Sequence, residues 1–227
     1  MMMDKSIILT LVSTFLCVAS IDRHPSIIKR VSKDGDKTVI RLKFKFTDNV
    51  KVDFFYESLC PGSIEEYPNL IPVATKLSDY VDIKTYPYGN AKMGKKNGTI
   101  EVKCQHGEEE CYGNKLHACA IDQLKDVQKY VDFNACMMAK RSNDDAADAC
   151  GKSKNVDSGP IKTCAKGARG QKLLIQYGRE TGKYNINYVP YILINGKELV
   201  DNDLWTAVCA AIVNPPKVCQ KRDKNNL

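Results

Sequence analysis

No stretch of the chain reaches the ~20 consecutive apolar residues that a bilayer-spanning helix requires. The nearest approach runs from Ile7 to Val18, preceded by Lys5 and followed by the small residues Ala19 and Ser20. That layout predicts a secretory signal peptide over residues 1–20, cleaved near Ala19 or Ser20, rather than a transmembrane segment. A recognisable nucleic-acid-binding motif is also missing, and nucleic acid is a poor partner for a chain bound for the secretory route. Nothing in the sequence supports a Ser-His-Asp triad built on Ser63. One further lack is a single atom. Three residues after Cys60 stands Ser63, where a dithiol site would carry its second thiol.

What is present fits a folded protein. The 227 residues are 43% hydrophobic and 27% charged, ordinary for a globular chain and enough for one domain with a large insertion. The net charge of +7 survives leader removal, because Asp4 and Lys5 cancel. It is concentrated at residues 21–46, which hold Arg23, Lys29, Arg30, Lys33, Lys37, Arg41, Lys43 and Lys45, and again in the tail from Lys217 to Lys224. Such excess suits anionic glycans or lipids outside the cell; the plainer reading is a solvated face.

Of ten cysteines, Cys17 lies in the leader. The other nine are Cys60, Cys104, Cys111, Cys119, Cys136, Cys150, Cys164, Cys209 and Cys219. An odd count in an oxidising compartment predicts four disulfides and one unpaired thiol, and Cys60, far from the rest, is the natural odd one out. Eight cysteines allow 105 pairings. Only a Cys209–Cys219 closure over Pro215-Pro216 suggests itself.

Residues 21–37 read as a basic flexible arm with a turn-like Asp34-Gly35. Thr38 to Phe46 alternates with strand periodicity, and Val50 to Tyr56 is rich in β-branched and aromatic residues, as a buried strand is. A helix follows Cys60, interrupted at Pro68 and Pro72 and resuming to about Tyr80. Val81 to Tyr88 is again strand-like, so the order is β–α–β. Ala91 to Gly98 reads as a polar loop whose Asn97-Gly98-Thr99 is an N-glycosylation acceptor at Asn97, and Thr99 to Lys103 as a short strand. From Cys104 to about Tyr184 the pattern turns helical, with candidates at Leu116–Tyr130, Phe133–Arg141 and Lys166–Glu180. Short helices with few large apolar residues make a thin core that cross-links would reinforce. Strand returns at Tyr191 to Ile194, ahead of the hairpin turn Asn195-Gly196. Pro190 precedes that strand with a bond that can be cis at modest cost. A last helix spans Asp203 to Val213.

The chemistry is sited at Val50–Ser63. The strand gives way at Cys60, and Pro61 suits the first position of a helix. A cysteine at a strand-to-helix turn faces unpaired backbone N–H groups, the setting in which thioredoxin-like redox proteins place their reactive thiol. Glu57, Glu65 and Glu66 add negative charge nearby.

Further along, Cys104-Gln105-His106-Gly107, Glu110-Cys111, Asn114 and Cys119 follow the pattern C-Q-H-G-x-x-E-C-x-x-N-x-x-x-x-C. This resembles the signature of the gamma-interferon-inducible lysosomal thiol reductase (GILT) family, with no departure at any position. Phe55 to Cys60, Pro87 to Ala91 and Tyr188 to Tyr191 also look like segments of that family, and the likeness runs from Val50 to Cys219. The chain resembles an insect-type GILT-like protein with a C-x-x-S site.

The resemblance implies an α/β, thioredoxin-like fold with a disulfide-stapled helical insertion. Its parts would be a first half over 38–103, the insertion over 104–184, a second half over 185–219 and a basic tail over 220–227. It also implies that Pro190 is a cis-proline lying across from Cys60, and that the inherited activity is reduction of protein disulfides in endocytic compartments. That chemistry needs C-x-x-C. With Ser63 in the second position, the expected function is binding, in immunity or at a host–microbe interface. The alternative is a monothiol oxidoreductase in which an external thiol resolves Cys60. Expected partners are a protein or cell surface, an anionic glycan on the basic arm, and a protein disulfide if the chain is active. The expected location is extracellular, with lysosomal or endosomal routing as the alternative. No cofactor is expected. Cys104, His106, Cys111, His117 and Cys119 could be imagined as zinc ligands, but disulfides are favoured for these cysteines, so no metal is expected there. His106 reads as a structural hydrogen-bonding residue.

Overall fold

The computed structural model describes residues 26–34, 37–45, 49–96, 98–200 and 203–220, the first two segments by their backbone. The leader over 1–20, Asn97 and the tail after Gln220 lie outside these residues. The chain divides into two units at Asp48/Asn49.

The first unit is an antiparallel pair, β1 (Ser26–Asp34) and β2 (Lys37–Lys45), in register from Ser26 opposite Lys45 to Asp34 opposite Lys37. The flexible arm expected over 21–37 therefore contains a strand. Its Ile27, Ile28 and Val31 are β-formers, and they pair with the alternating segment already read as strand. Among the described residues β1 and β2 form a two-stranded sheet of their own.

The second unit is built on β3 (Val50–Tyr56). Parallel to it runs β4 (Val81–Pro87), and on its other side lies antiparallel β7 (Tyr191–Ile194), followed by β8 (Lys197–Glu198), in the order β4-β3-β7-β8. The β3-to-β4 crossover passes through α1 (Pro61–Glu66), a 3-10 turn (Tyr67–Asn69) and α2 (Leu70–Lys76). The helix is interrupted at Pro68, in the 3-10 turn, but not at Pro72, which stands in the first turn of α2 where no helical N–H is required; α2 ends at Lys76, before Tyr80. Asn195-Gly196 turns β7 into β8 with both residues at positive φ, and the Asn195 side chain accepts from Lys51 N at 2.9 Å.

The sheet is covered on both faces. Val50, Val52, Phe54 and Tyr56 pack with Leu70, Val73 and Leu77 of α2 and with Leu204 and Val208 of α8 (Leu204–Ala211). Phe55, between them in sequence, points the other way and stacks on Tyr86 at 4.3 Å. Near-continuous burial along β3 is what a strand covered on both faces requires.

The insertion holds five helices: α3 (Glu108–Leu124), α4 (Val127–Met138), α5 (Asp144–Lys154), α6 (Ser158–Lys166) and α7 (Ala168–Thr181). Local capping explains the boundaries that periodicity missed. The helix expected over Leu116–Tyr130 breaks at left-handed Lys125, and Asp126 caps α4 by accepting from Lys129 N. Asn143 and Asp157 cap α5 and α6 in the same way. Gly167 separates α6 from α7, so no helix runs unbroken from Lys166 to Glu180. The loop expected at Ala91–Gly98 is mostly strand: β5 (Lys92–Lys96) pairs with β6 (Thr99–Lys103). Asn-Gly between them is a hairpin signal as well as part of a glycosylation motif, and Gly98 takes φ 80°.

Four disulfides close this unit: Cys104–Cys111, Cys119–Cys164, Cys136–Cys150 and Cys209–Cys219. Cys119–Cys164 ties α3 to α6 and Cys136–Cys150 ties α4 to α5, around a core of Leu116, Phe133, Met137, Ile161 and Leu173.

Candidate functional site

Cys60 is the N-cap of α1, with Pro61 at the first helical position, and its carbonyl accepts from Ile64 N at 2.9 Å. It is half-buried and is the one free cysteine among the described residues. Its Sγ lies 3.7 Å from the Val189 carbonyl oxygen, which it reaches as a weak donor. The Val189–Pro190 bond is cis. Pro190 packs over the first turn of α1 so closely that a Cβ on Gly62 would lie 3.2 Å from its Cδ. Residues 129 apart in sequence are thus brought together across the ends of β3 and β7.

Ser63 is fully buried beneath this turn, and its Oγ accepts from Glu57 N at 3.4 Å. Beside Cys60 opens a cleft of about 480 Å3 lined by Gly62, Pro190, Tyr188 and three carboxylates, Glu65, Glu66 and Glu198. Tyr188 and Tyr191 both donate to the Glu198 carboxylate.

The cysteine-rich motif sits behind the turn and braces it. Asn114 Oδ1 accepts from Ser58 N at 2.8 Å, and Ser58 Oγ donates to the Glu110 carbonyl at 3.2 Å. Glu57 Oε1 accepts from Asn90 N at 2.6 Å, while Asn90 Nδ2 donates to Gln105 Oε1 at 2.8 Å. Gly107 is the N-cap of α3 at φ 88°. His106 Nδ1 lies 2.5 Å from Glu110 Oε2 and 3.6 Å from Glu57 Oε2. The Cys104–Cys111 disulfide closes this loop at its base.

Glu57 and His117 are among the ionisable groups displaced by this packing. Burial, then the neighbouring Glu110 carboxylate, raises the Glu57 carboxyl to about 7, against the Asn90 N–H and His106, which lower it. Burial lowers His117 to about 3. Its Nδ1 lies 3.0 Å from Tyr56 Oη and its Nε2 3.0 Å from Ser142 Oγ, so it works as a neutral bridge inside the core.

The zinc set imagined from sequence does not assemble. Cys104 and Cys111 are bonded to each other, Cys119 to Cys164, and His117 to Tyr56 and Ser142. His106 does hydrogen-bond, as expected. The sequence reading missed Ser58 and Asn90 as bridges to the motif, and it treated Glu57 as charge near Cys60 when its carboxylate turns toward Asn90 and His106. One signal was available: Glu110, Asn114 and His117 follow i, i+4, i+7 spacing and so share one helix face.

The chain has relatives among known proteins. Residues 51–154 match the family described as gamma interferon inducible lysosomal thiol reductase. A gamma-interferon-responsive lysosomal thiol protein of Arabidopsis thaliana is 34% identical over 201 residues, covering 78% of this chain and 82% of that one. The gamma-interferon-inducible lysosomal thiol reductase of Carassius auratus is 35% identical over 172 residues, 71% and 68% of the two chains. GILT-like protein 2 of Drosophila melanogaster is 30% identical over 164 residues, 71% and 76%. Among solved structures, oxidised BdbD from Bacillus subtilis superposes with a TM-score of 0.51 at 15% identity, over 68% of this chain and 80% of that one. The fold is α/β and thioredoxin-like, and with relatives matched at this identity and over this share of their length, the chain belongs to the gamma-interferon-inducible lysosomal thiol reductase family.

Proposed function

We propose that this GILT-family chain lacks self-contained dithiol reductase activity and acts by binding, with Cys60 able to hold a protein partner as a mixed disulfide. One observation carries the reading: among the described residues no second thiol is available. Ser63 holds the resolving position, and every other cysteine among the described residues is in a disulfide. When the Cys60 thiolate attacks a partner disulfide, one partner sulfur joins Cys60 and the other leaves as a thiolate. Release of the first then needs a second thiolate, and a serine hydroxyl is a far poorer nucleophile toward sulfur. The cleft beside Cys60, with Glu65, Glu66 and Glu198 on its walls, suits a partner segment bearing lysine or arginine near its cysteine.

A second reading rests on the partial exposure of Cys60, which would let an external thiol such as glutathione resolve the mixed disulfide and turn the protein over as a monothiol enzyme. The leader-like residues 1–20 support secretion, and the relatives' names support a lysosomal route as the alternative. An immune setting, glycosylation at Asn97 and an anionic glycan on the basic residues 21–46 belong to the same proposal. Among the described residues no helix is long and apolar enough to cross a membrane.

The deciding experiment is disulfide reduction by the purified mature chain, with and without glutathione, beside Cys60→Ala and Ser63→Cys. The binding reading expects a silent wild type under both conditions and activity gained in Ser63→Cys. Turnover by wild type with glutathione, lost in Cys60→Ala, establishes the monothiol enzyme instead.

A further inference from the structure

We propose that Glu57, His106 and Glu110 form a binding site for a divalent cation of the zinc class. The donor atoms Glu57 Oε2, His106 Nδ1 and Glu110 Oε2 all lie within 4.8 Å of one another. This set shares only His106 with the cysteine-based one, whose cysteines the disulfides consume, and it goes beyond the chemistry of Cys60.

Two buried carboxylates meet here, and one of them lacks full compensation. Glu57 and Glu110 are both fully buried. Burying a carboxylate costs several kcal/mol unless a cation or hydrogen bonds offset it. Glu110 is provided for, since Oε1 accepts from His106 N at 3.0 Å and Oε2 lies 2.5 Å from His106 Nδ1. Glu57 is not. Its Oε1 accepts from Asn90 N, but its Oε2 is buried with no hydrogen-bond partner and points at His106 Nδ1 from 3.6 Å. That nitrogen carries at most one proton, so one imidazole cannot donate to both carboxylates. Among the described residues, no lysine or arginine forms an ion pair with either. A divalent ion between the three atoms supplies the missing charge.

The surroundings meet the other requirements of a metal site. Each carboxylate has its second oxygen fixed by a backbone N–H, and the loop bearing His106 is closed by Cys104–Cys111, so the donors are held in place from outside. The His106 side chain is one-third exposed (33%), which leaves an entry path and room for water to complete the coordination. One imidazole nitrogen with two carboxylate oxygens suits Zn2+ better than Mg2+ or Ca2+, which favour all-oxygen shells. Ligands about 2.1 Å from a tetrahedral ion stand roughly 3.4 Å apart. The Glu57–His106 separation already fits, and the Glu110–His106 pair opens when the ion displaces the proton between them. Bound there, the ion would pin Glu57, three residues before Cys60, to the loop behind it.

The test uses the mature, untagged full chain carrying Cys60→Ala, so that a free thiol cannot bind zinc, with ZnCl2 titrated calorimetrically at neutral pH and melting followed in parallel. The expected result is one saturable Zn2+ per chain, a raised melting temperature, and affinity weakened by more than about ten-fold in His106→Ala and in Glu57→Gln. Glu57→Gln preserves side-chain volume and decides the matter if His106→Ala misfolds. No saturable binding, equal binding by Glu57→Gln, or Mg2+ and Ca2+ binding as well as Zn2+ would each overturn the proposal.

Discussion

Glu57 follows Tyr56 in sequence and His117 hydrogen-bonds to it, and burial shifts the two in opposite senses for stability. The Glu57 carboxyl sits at about 7 in the fold against an ordinary 4.5. Its contribution is therefore complete below pH 4.5 and is lost as pH rises through 7. His117, lowered from 6.5 to about 3, contributes stability above pH 6.5 that is lost as pH falls toward 3. The two slopes oppose each other between about pH 4.5 and 6.5. Glu57→Gln removes only the first, since glutamine can still accept from Asn90 N and carries no charge to desolvate. In the presence of a chelator, its unfolding free energy from urea titration should match wild type near about pH 4 and exceed it near about pH 8, by up to roughly 3 kcal/mol. A gap of the same size at both pH values would mean that packing, not ionisation, separates the two proteins. His117→Ala should cost about 3 kcal/mol in urea unfolding at neutral pH, because it leaves a cavity and strips Tyr56 and Ser142 of a partner.

The element that organises the site is α3, whose first three turns carry Glu110, Asn114 and His117 toward the end of β3. Its fit there is close: a Cβ on Gly113 would strike Ser58 Oγ and come within 3.1 Å of the Ser142 carbonyl oxygen. Gly113→Ala should therefore destabilise by about 1–3 kcal/mol in urea unfolding. Asn114→Ala leaves the buried Ser58 N–H without its acceptor and should speed hydrogen exchange at that amide well beyond any change at the core amides of β3. The strands of this layout were legible because each announces itself locally: β3 by a β-branched and aromatic run, β7 by Asn195-Gly196 after it. The helix boundaries were less so. They depend on caps such as Asn143 and Asp157, single residues whose effect is not periodic, and a helix opening on three glutamates offers no apolar stripe to mark its first turn.

At the scale of the molecule, what could be read from sequence was the list of parts, and what could not was which part faces which. Cys60, Ser63 and Pro190 stand out as residues, yet their meeting depends on β7 pairing with β3 across an insertion of five helices. The Glu57–His106–Glu110 cluster was hidden for the same reason, because it joins a strand end to a loop some 50 residues away in sequence. Disulfide pairing belongs to this scale too, since spacing alone leaves it open and only the packing of α3 on α6 joins Cys119 to Cys164. That bridge closes a sequence separation of 45, against 14 for Cys136–Cys150 and 10 for Cys209–Cys219. If restriction of the unfolded chain dominates, replacing each pair by alanine should cost about 4, about 3 and about 2.7 kcal/mol in that order. Cys119 is fully buried, so the first loss also includes packing and should stand clear of the others. Urea unfolding of the three double variants measures the order. If the Cys209–Cys219 variant proved the least stable, the C-terminal closure over α8 and the sheet, and not the helical insertion, would be the part of the fold most dependent on its cross-link.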